Sequence, residues 1–84
     1  MKPIRLSLHA ELRRGKRGAS RSEVEEAVRL GVREPAKLGK VLCRRNFEYN
    51  SVWQGRHFAI KQVAPVIAEE DDEIVVVTVY VFYF

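Results

Sequence analysis

The sequence predicts an α+β domain in which two N-terminal helices pack on a three- to four-stranded antiparallel sheet, with a short strand ahead of the helices. Three observations support this. Two segments with helical spacing and capping residues occupy the first third of the chain. Beyond Gly31 the apolar period changes from helical to alternating. The chain then ends in "IVVVTVYVFYF", a β-branched and aromatic run that fits a strand. Helices and strands segregated in this order form two layers around one core. At 84 residues the chain is a single domain, 1–84, able to fold alone with little stability in reserve.

In chain order, "PIRLS" alternates Ile4 and Leu6 with Arg5 and Ser7, a short strand behind Pro3. Ser7 is placed to cap the first helix, with Leu8 and Leu12 four apart on its expected buried stripe and Gly18 as its stop. The second helix is signalled by a capping box of Ser20 and Glu23, with Ala19 and Val24 as a hydrophobic staple. Val24, Ala27, Val28 and Leu30 give its expected apolar face, and Gly31 ends it. "VREPAKL" is a weak edge candidate, because Pro35 cannot donate to a ladder. "KVLCRRNFEY" places Val41, Cys43, Arg45, Phe47 and Tyr49 on one face, before a hairpin loop "NSVWQG". In the next strand Phe58, Ile60 and Gln62 oppose Ala59, Lys61 and Val63, and Pro65 suggests a bulge or the end of pairing. The last strand is apolar on both faces, so it is expected to be central, or covered by helices on one side and a partner chain on the other.

Composition narrows the function. One cysteine, Cys43, cannot form an internal disulfide, and His9 and His57 give no zinc-type spacing, so neither a metal nor a cofactor is expected. The N-terminus is no signal peptide, and the final apolar run is far short of the roughly 20 residues of a spanning helix. A cytoplasmic protein without membrane contact is the default expectation. Charge is uneven. Residues 1–45 carry 13 Lys+Arg against 5 Asp+Glu, a balance of +8. Residues 46–84 carry 2 against 6, a balance of −4. A cationic half suggests an anionic partner, nucleic acid being the commonest.

The stretch "SLHAELRRGKRGASRSEVEEAV" resembles the opening of a bacterial family of domains of unknown function, DUF 4258. The shared pattern is Ser7, His9 and Ala10, then Arg13, then Arg17, Gly18 and Ser20 opening a second helix. "VVVTVY", with Thr78 and Tyr80, is similar to that family's last strand. Arg14 stands where the family usually has an apolar residue, and Ala19 where it has a larger aliphatic. At fold level the family is similar to RelE-type and colicin-type ribonuclease toxins. The resemblance thus implies a toxin-like, metal-independent endoribonuclease or a relative that only binds RNA, with an acidic antitoxin-like protein as a partner.

Metal-free RNA cleavage needs a group to take the 2′-hydroxyl proton, cations on the charged phosphorus and a proton donor for the leaving oxygen. Histidine ordinarily titrates near pH about 6.5, which suits the first role. On a helix His9 and Arg13 are i,i+4 neighbours, with Lys16 and Arg17 continuing that side. The expected catalytic set is His9, Lys61 and Tyr80, and the expected RNA contacts are Arg13, Arg17, Arg44 and Arg45. Plainer readings stand beside each role. His9 can pack at the helix–sheet seam, and Arg13 and Arg17 can pair with Glu11, Glu23 or Glu26. Lys61 can be an edge residue, and Thr78 and Tyr80 can be cross-strand packing. Trp53, Tyr49 and Val52 can form a local cluster or a base-stacking tip, with the cluster favoured. Two other classes remain open: a nucleic-acid binder without catalysis, and an interaction module that forms a homodimer through its last strand.

Overall fold

The computed structural model describes residues 1–84. The chain runs β1 (Ile4–Leu6), α1 (Leu8–Arg17), α2 (Arg21–Leu30), β2 (Val32–Pro35), a short 3₁₀ turn (Lys37–Gly39), β3 (Val41–Trp53), β4 (Arg56–Glu69) and β5 (Ile74–Tyr83). Both helix starts form for the reasons written in the sequence. The Ser7 hydroxyl accepts from the Ala10 N–H, and Ser20 and Glu23 make a reciprocal capping box. Gly18, at φ 83, ends α1 in the left-handed region that glycine enters without penalty.

The strands form one sheet in the order β1-β5-β4-β3-β2. β1 runs parallel to β5 and every other pair is antiparallel, so the sheet is mixed and five-stranded rather than three- or four-stranded and purely antiparallel. Both weak segments, "IRL" and "VREP", were too short to decide the count from sequence; each is recruited as an edge by a longer neighbour. Within β4, Pro65 neither ends the strand nor forms the bulge. It pairs with Val79 on one side, while on the β3 side the ladder is interrupted between Leu42–Val66 and Arg45–Val63, where Pro65 has no N–H to give.

One register shift lies on β3 between Glu48 and Ser51, and the bulge that matters for the last strand lies on β5. Val66 pairs with Thr78 but Ile67 pairs with Val76, leaving Val77 as the extra residue. One inserted residue reverses the alternation beyond it. Ile74 and Val76 point to the helices, and after the bulge so do Val79, Val81 and Tyr83, while Thr78, Tyr80 and Phe82 turn to the opposite face. The last strand is apolar on both sides in either phase; the bulge decides which residues face the helices, and Val75, Val77, Tyr80 and Phe82 lie on the open side. β5 is also not the central strand: it lies second from the edge, beside the three-residue β1.

Helix packing explains which leucines stay out. α1 buries only Ala10, and Leu8 and Leu12, expected on its buried stripe, are 78% and 58% exposed. The helix lies along the edge of β5, held there by Ser7, whose N–H donates to the Val76 carbonyl and whose hydroxyl donates to that of Val77. That approach leaves room for a methyl but not for leucine. Val24, Ala27 and Val28 of α2 are fully buried against Cys43, Val63, Ile67, Val76 and Val79, whereas Leu30 is exposed. Gly31 is required by closeness, since a Cβ there would strike the Ala27 and Arg44 carbonyls. No helix is long and apolar enough to cross a membrane.

The β3–β4 hairpin is longer than expected, with a two-residue loop of Gln54 and Gly55 at φ 50 and 81, the pair of left-handed residues a tight hairpin demands. Its loop end folds over the α1–α2 turn, with the Trp53 ring against Gly18. Trp53 stacks on Tyr83 at 4.9 Å and 14°, and Tyr49 meets the same ring edge-on at 5.4 Å. These aromatics are therefore a local cluster rather than a free tip.

Candidate nucleic-acid interface

The helices cover one face of the sheet, and the opposite face carries a row of unusual exposed groups. On β5, Tyr80 and Phe82 are each 44% exposed, with ring centroids 6.4 Å apart and planes 19° from parallel. The Arg17 guanidinium lies 5.2 Å from the Tyr80 ring centre and the Arg44 guanidinium 5.7 Å from that of Phe82. Arg44 is held in place by Gln62, at 3.0 Å, and by Glu34, at 3.1 Å. Arg17 reaches this face because it donates to the Val79 carbonyl at 2.8 Å. That carbonyl lies on the outer edge of β5, beyond the reach of short β1.

His9 joins the same surface. It is exposed and its Nε2 lies 3.1 Å from the Thr78 hydroxyl. The two ends of one helical stripe, His9 and Arg17, thus meet the open-face residues Thr78 and Tyr80. Arg13, four residues from each, lies between them on that stripe, and Lys16 falls within the same arc.

The sheet divides the other candidates. Lys61 projects to the helix side, 7% exposed, with its ammonium 2.8 Å from Glu23, 2.9 Å from the Gly18 carbonyl and 5.2 Å from the Tyr49 ring centre. It ties the α1–α2 turn to the sheet and stands apart from His9. Arg45 also faces the helices and pairs with Glu26 at 2.7 Å. Of the expected residues, the fold therefore gathers His9, Arg13, Arg17, Arg44 and Tyr80 on one side and leaves Lys61 and Arg45 on the other. The reason is strand alternation: Arg44 and Arg45 are neighbours in sequence and opposites in the sheet.

Ion pairing removes much of the apparent positive surface. Lys2, Arg5, Arg14, Arg21, Arg33, Arg44, Arg45 and Lys61 all sit in salt bridges. Glu11 pairs with Arg14 and Arg21, Glu23 with Lys61 and Glu26 with Arg45, so none is left for Arg13 or Arg17. Five cations have neither an ion pair nor a side-chain hydrogen bond: Arg13, Lys16, Lys37, Lys40 and Arg56. Four of the five flank the open face, two from α1 and two from the turn between β2 and β3.

Two perturbed groups belong to the frame around the site. Burial, with Tyr49 and Glu23 nearby, pushes the Tyr83 phenol up to about 12, and its hydroxyl donates to the Arg17 carbonyl at 2.6 Å. Burial likewise raises the Cys43 thiol, making it an inert core residue. No cluster of three or more His, Cys, Asp or Glu is placed to hold a metal ion.

Sequence reasoning missed Phe82, Leu38, Lys37 and Lys40. Phe82 was recoverable from its i,i+2 spacing to Tyr80, which puts both on one face, but the exposure of that face depended on the bulge. "KLGK" carried only a weak signal, two lysines around a glycine between strands. No protein-family model matches the chain, and neither a curated protein nor a solved structure matches it.

Proposed function

We propose that this chain binds single-stranded RNA on the helix-free face of its sheet, and acts there as a toxin-like, metal-independent ribonuclease with His9 as its acid–base group. The observation that carries the reading is the Tyr80–Phe82 pair, solvent-facing, nearly parallel and set between two guanidiniums. Exposed aromatic rings on a sheet stack unpaired bases of any sequence, at about 1–3 kcal/mol per base, and cations beside them take the phosphates. The unpaired Arg13 and Lys16 extend that electrostatic track along α1. The likeness of "SLHAELRRGKRG" to a toxin-related family points the same way.

In the cleavage step the His9 imidazole takes the 2′-hydroxyl proton as the 2′-oxygen attacks the adjacent phosphorus. The bond from phosphorus to the 5′-oxygen then breaks, and that oxygen receives a proton from the Tyr80 phenol. Arg13 and Arg17 offset the charge that builds on the phosphoryl oxygens. An acidic antitoxin-like protein would cover the same free cations. A second reading, binding without cleavage, is favoured by one feature: the ammonium of Lys61 is fully engaged and far from this face, so the site has fewer charged groups than a strong catalyst needs.

Both readings are tested by incubating purified protein with labelled single-stranded RNA in excess chelator and following binding and cleavage together. The expected result is binding that weakens steeply with salt, is reduced at least tenfold in the Tyr80→Ala/Phe82→Ala double variant, and is accompanied by cleavage that His9→Ala abolishes. Binding without cleavage selects the second reading. No binding by folded wild type overturns both.

A further inference from the structure

A second feature of the open face lies next to the aromatic pair. A groove of about 400 Å³ runs between the β2–β3 turn and β5. Its floor is Leu42 and Val66, and its β5 wall is Val77, Thr78 and Tyr80. On the other side stands Leu38, with Lys37 and Lys40 at the rim. No acidic residue lines it, and neither lysine has a carboxylate partner.

Leu38 is the anomaly of this region. Its backbone is left-handed, at φ 59 and ψ 39, and its side chain is 90% exposed. A leucine held in that conformation costs about 1–2 kcal/mol, and exposure gives no packing in return. The turn is nonetheless fixed by hydrogen bonds from the Ala36 N–H to the Lys40 carbonyl and from the Lys40 N–H to the Lys37 carbonyl, at 2.9 and 3.2 Å. Gly39 follows at φ 73 and already supplies the glycine that such a turn needs. Nothing in the fold calls for leucine at position 38.

Resting on the RNA-binding reading above, we infer that this groove is a nucleobase subsite. One unstacked base lies on Leu42 and Val66, Leu38 closes over it, and Lys37 and Lys40 hold its flanking phosphate. The chemistry of the lining selects this occupant. An apolar slot with a cationic rim and no anion matches a flat, mostly apolar ring joined to a negative linkage. Its volume lies at the small end of the roughly 300–1,000 Å³ range of ligand sites, the scale of a single nucleotide. The neighbouring Tyr80 ring, shared by groove and aromatic pair, makes the two subsites contiguous along one strand of RNA.

Leu38→Gly separates function from folding, because glycine relieves the left-handed backbone and leaves the fold at least as stable as wild type. Fluorescence anisotropy would compare wild type, Leu38→Gly and Tyr80→Ala/Phe82→Ala on a short oligouridylate and on an abasic ribose-phosphate strand of equal length. The expected result for Leu38→Gly is a loss of about five- to tenfold in affinity for the oligouridylate and no change for the abasic strand. Lys37→Ser/Lys40→Ser is expected to weaken both. If Leu38→Gly binds oligouridylate like wild type while the aromatic variant is weakened, the subsite is refuted and the sheet-face reading stands. An equal loss on both strands also refutes it, since Leu38 would then act without a base. Should only Leu38→Gly weaken binding, the groove stands and the aromatic platform falls.

Discussion

Three glycines separate backbone strain from steric closeness, and together they test how α1 is joined to the sheet. Gly15 lies inside α1 with open space around its missing Cβ, so Gly15→Ala is expected to stabilise by about 0.5–1 kcal/mol through helix propensity. Gly39 has φ +73 and also has open space, so alanine there incurs only the left-handed penalty, about 1–2 kcal/mol. Gly18 has φ +83, and an added Cβ would lie 2.5 Å from the Tyr83 hydroxyl and 2.6 Å from the Trp53 ring. Gly18→Ala therefore carries the same conformational penalty plus about 1–3 kcal/mol of overpacking, roughly 2–5 in all. Urea melts followed by circular dichroism and by the fluorescence of Trp53, the single tryptophan, report the order directly. At about 4–8 °C per kcal/mol for a domain of this size, thermal midpoints separate the three variants. If Gly18→Ala costs no more than Gly39→Ala, the Trp53–Tyr83 stack does not press on the end of α1, and the account of that junction is wrong.

Further outcomes follow from the same geometry. Lys61→Met is expected to destabilise by about 1–3 kcal/mol, because it leaves the Gly18 carbonyl without its donor and removes the ion pair of Glu23, which keeps only its capping bond, while leaving the proposed RNA binding per folded molecule unchanged; a lost affinity without lost stability would contradict this. Tyr83 has a folded pKa raised to about 12 from 10, so the folded state holds its proton longer than the unfolded one. Stability from this group is complete below pH 10, falls as pH rises from there and is spent near 12; Tyr83→Phe should flatten that alkaline decline in thermal midpoint. Glu73, held below the usual carboxylate range by the Arg5 guanidinium, contributes stability above its ordinary pKa of 4.5 that fades as pH falls below it, and Arg5→Gln should reduce that acid sensitivity. Cys43, buried with a raised thiol, should resist alkylation in native protein and react on unfolding; rapid native labelling would show that the core is open there.

How much of this was legible in the sequence depends on whether the deciding contact is local. Helix starts were readable because Ser7, and Ser20 with Glu23, satisfy N–H groups within three residues. The edge character of "VREP" was readable because Pro35 lacks a donor. The face of α1 was not: Leu8 and Leu12 have core-like spacing, but the edge of β5 draws the helix onto Ala10 instead. The fate of the cations was not readable either. Glu11, Glu23 and Glu26 were correctly seen as rivals for the arginines, yet they choose Arg14, Arg21, Lys61 and Arg45, and three of those pairings are set by tertiary packing. Alternation put Arg44 and Arg45 on opposite faces, but only the placement of the helices decides which face is open.

The bulge at Val77 connects the core to the candidate site. With unbroken alternation, β5 would send Thr78, Tyr80 and Phe82 to the same side as Ile74 and Val76, and would turn Val79 and Val81 away from the helices. One extra residue lets a single strand give valines to the helices along its whole length, yet present hydroxyl and aromatic groups to solvent in its second half. The core therefore does not depend on the Tyr80 and Phe82 rings, and a sheet face built only for stability would carry polar residues there. Adjacent exposed aromatic groups of this kind mark contact surfaces. The His9–Arg13–Arg17 stripe lies along one border of the patch and Lys37 and Lys40 along the other, all on elements that the same edge-on helix and short β2–β3 turn position. Exposed rings, a strained exposed leucine and unpartnered cations each carry a cost or lack a folding role. Their convergence on one face is what a purely structural account of this domain leaves unexplained, and it is the ground for proposing a flexible, stacked, negatively charged ligand.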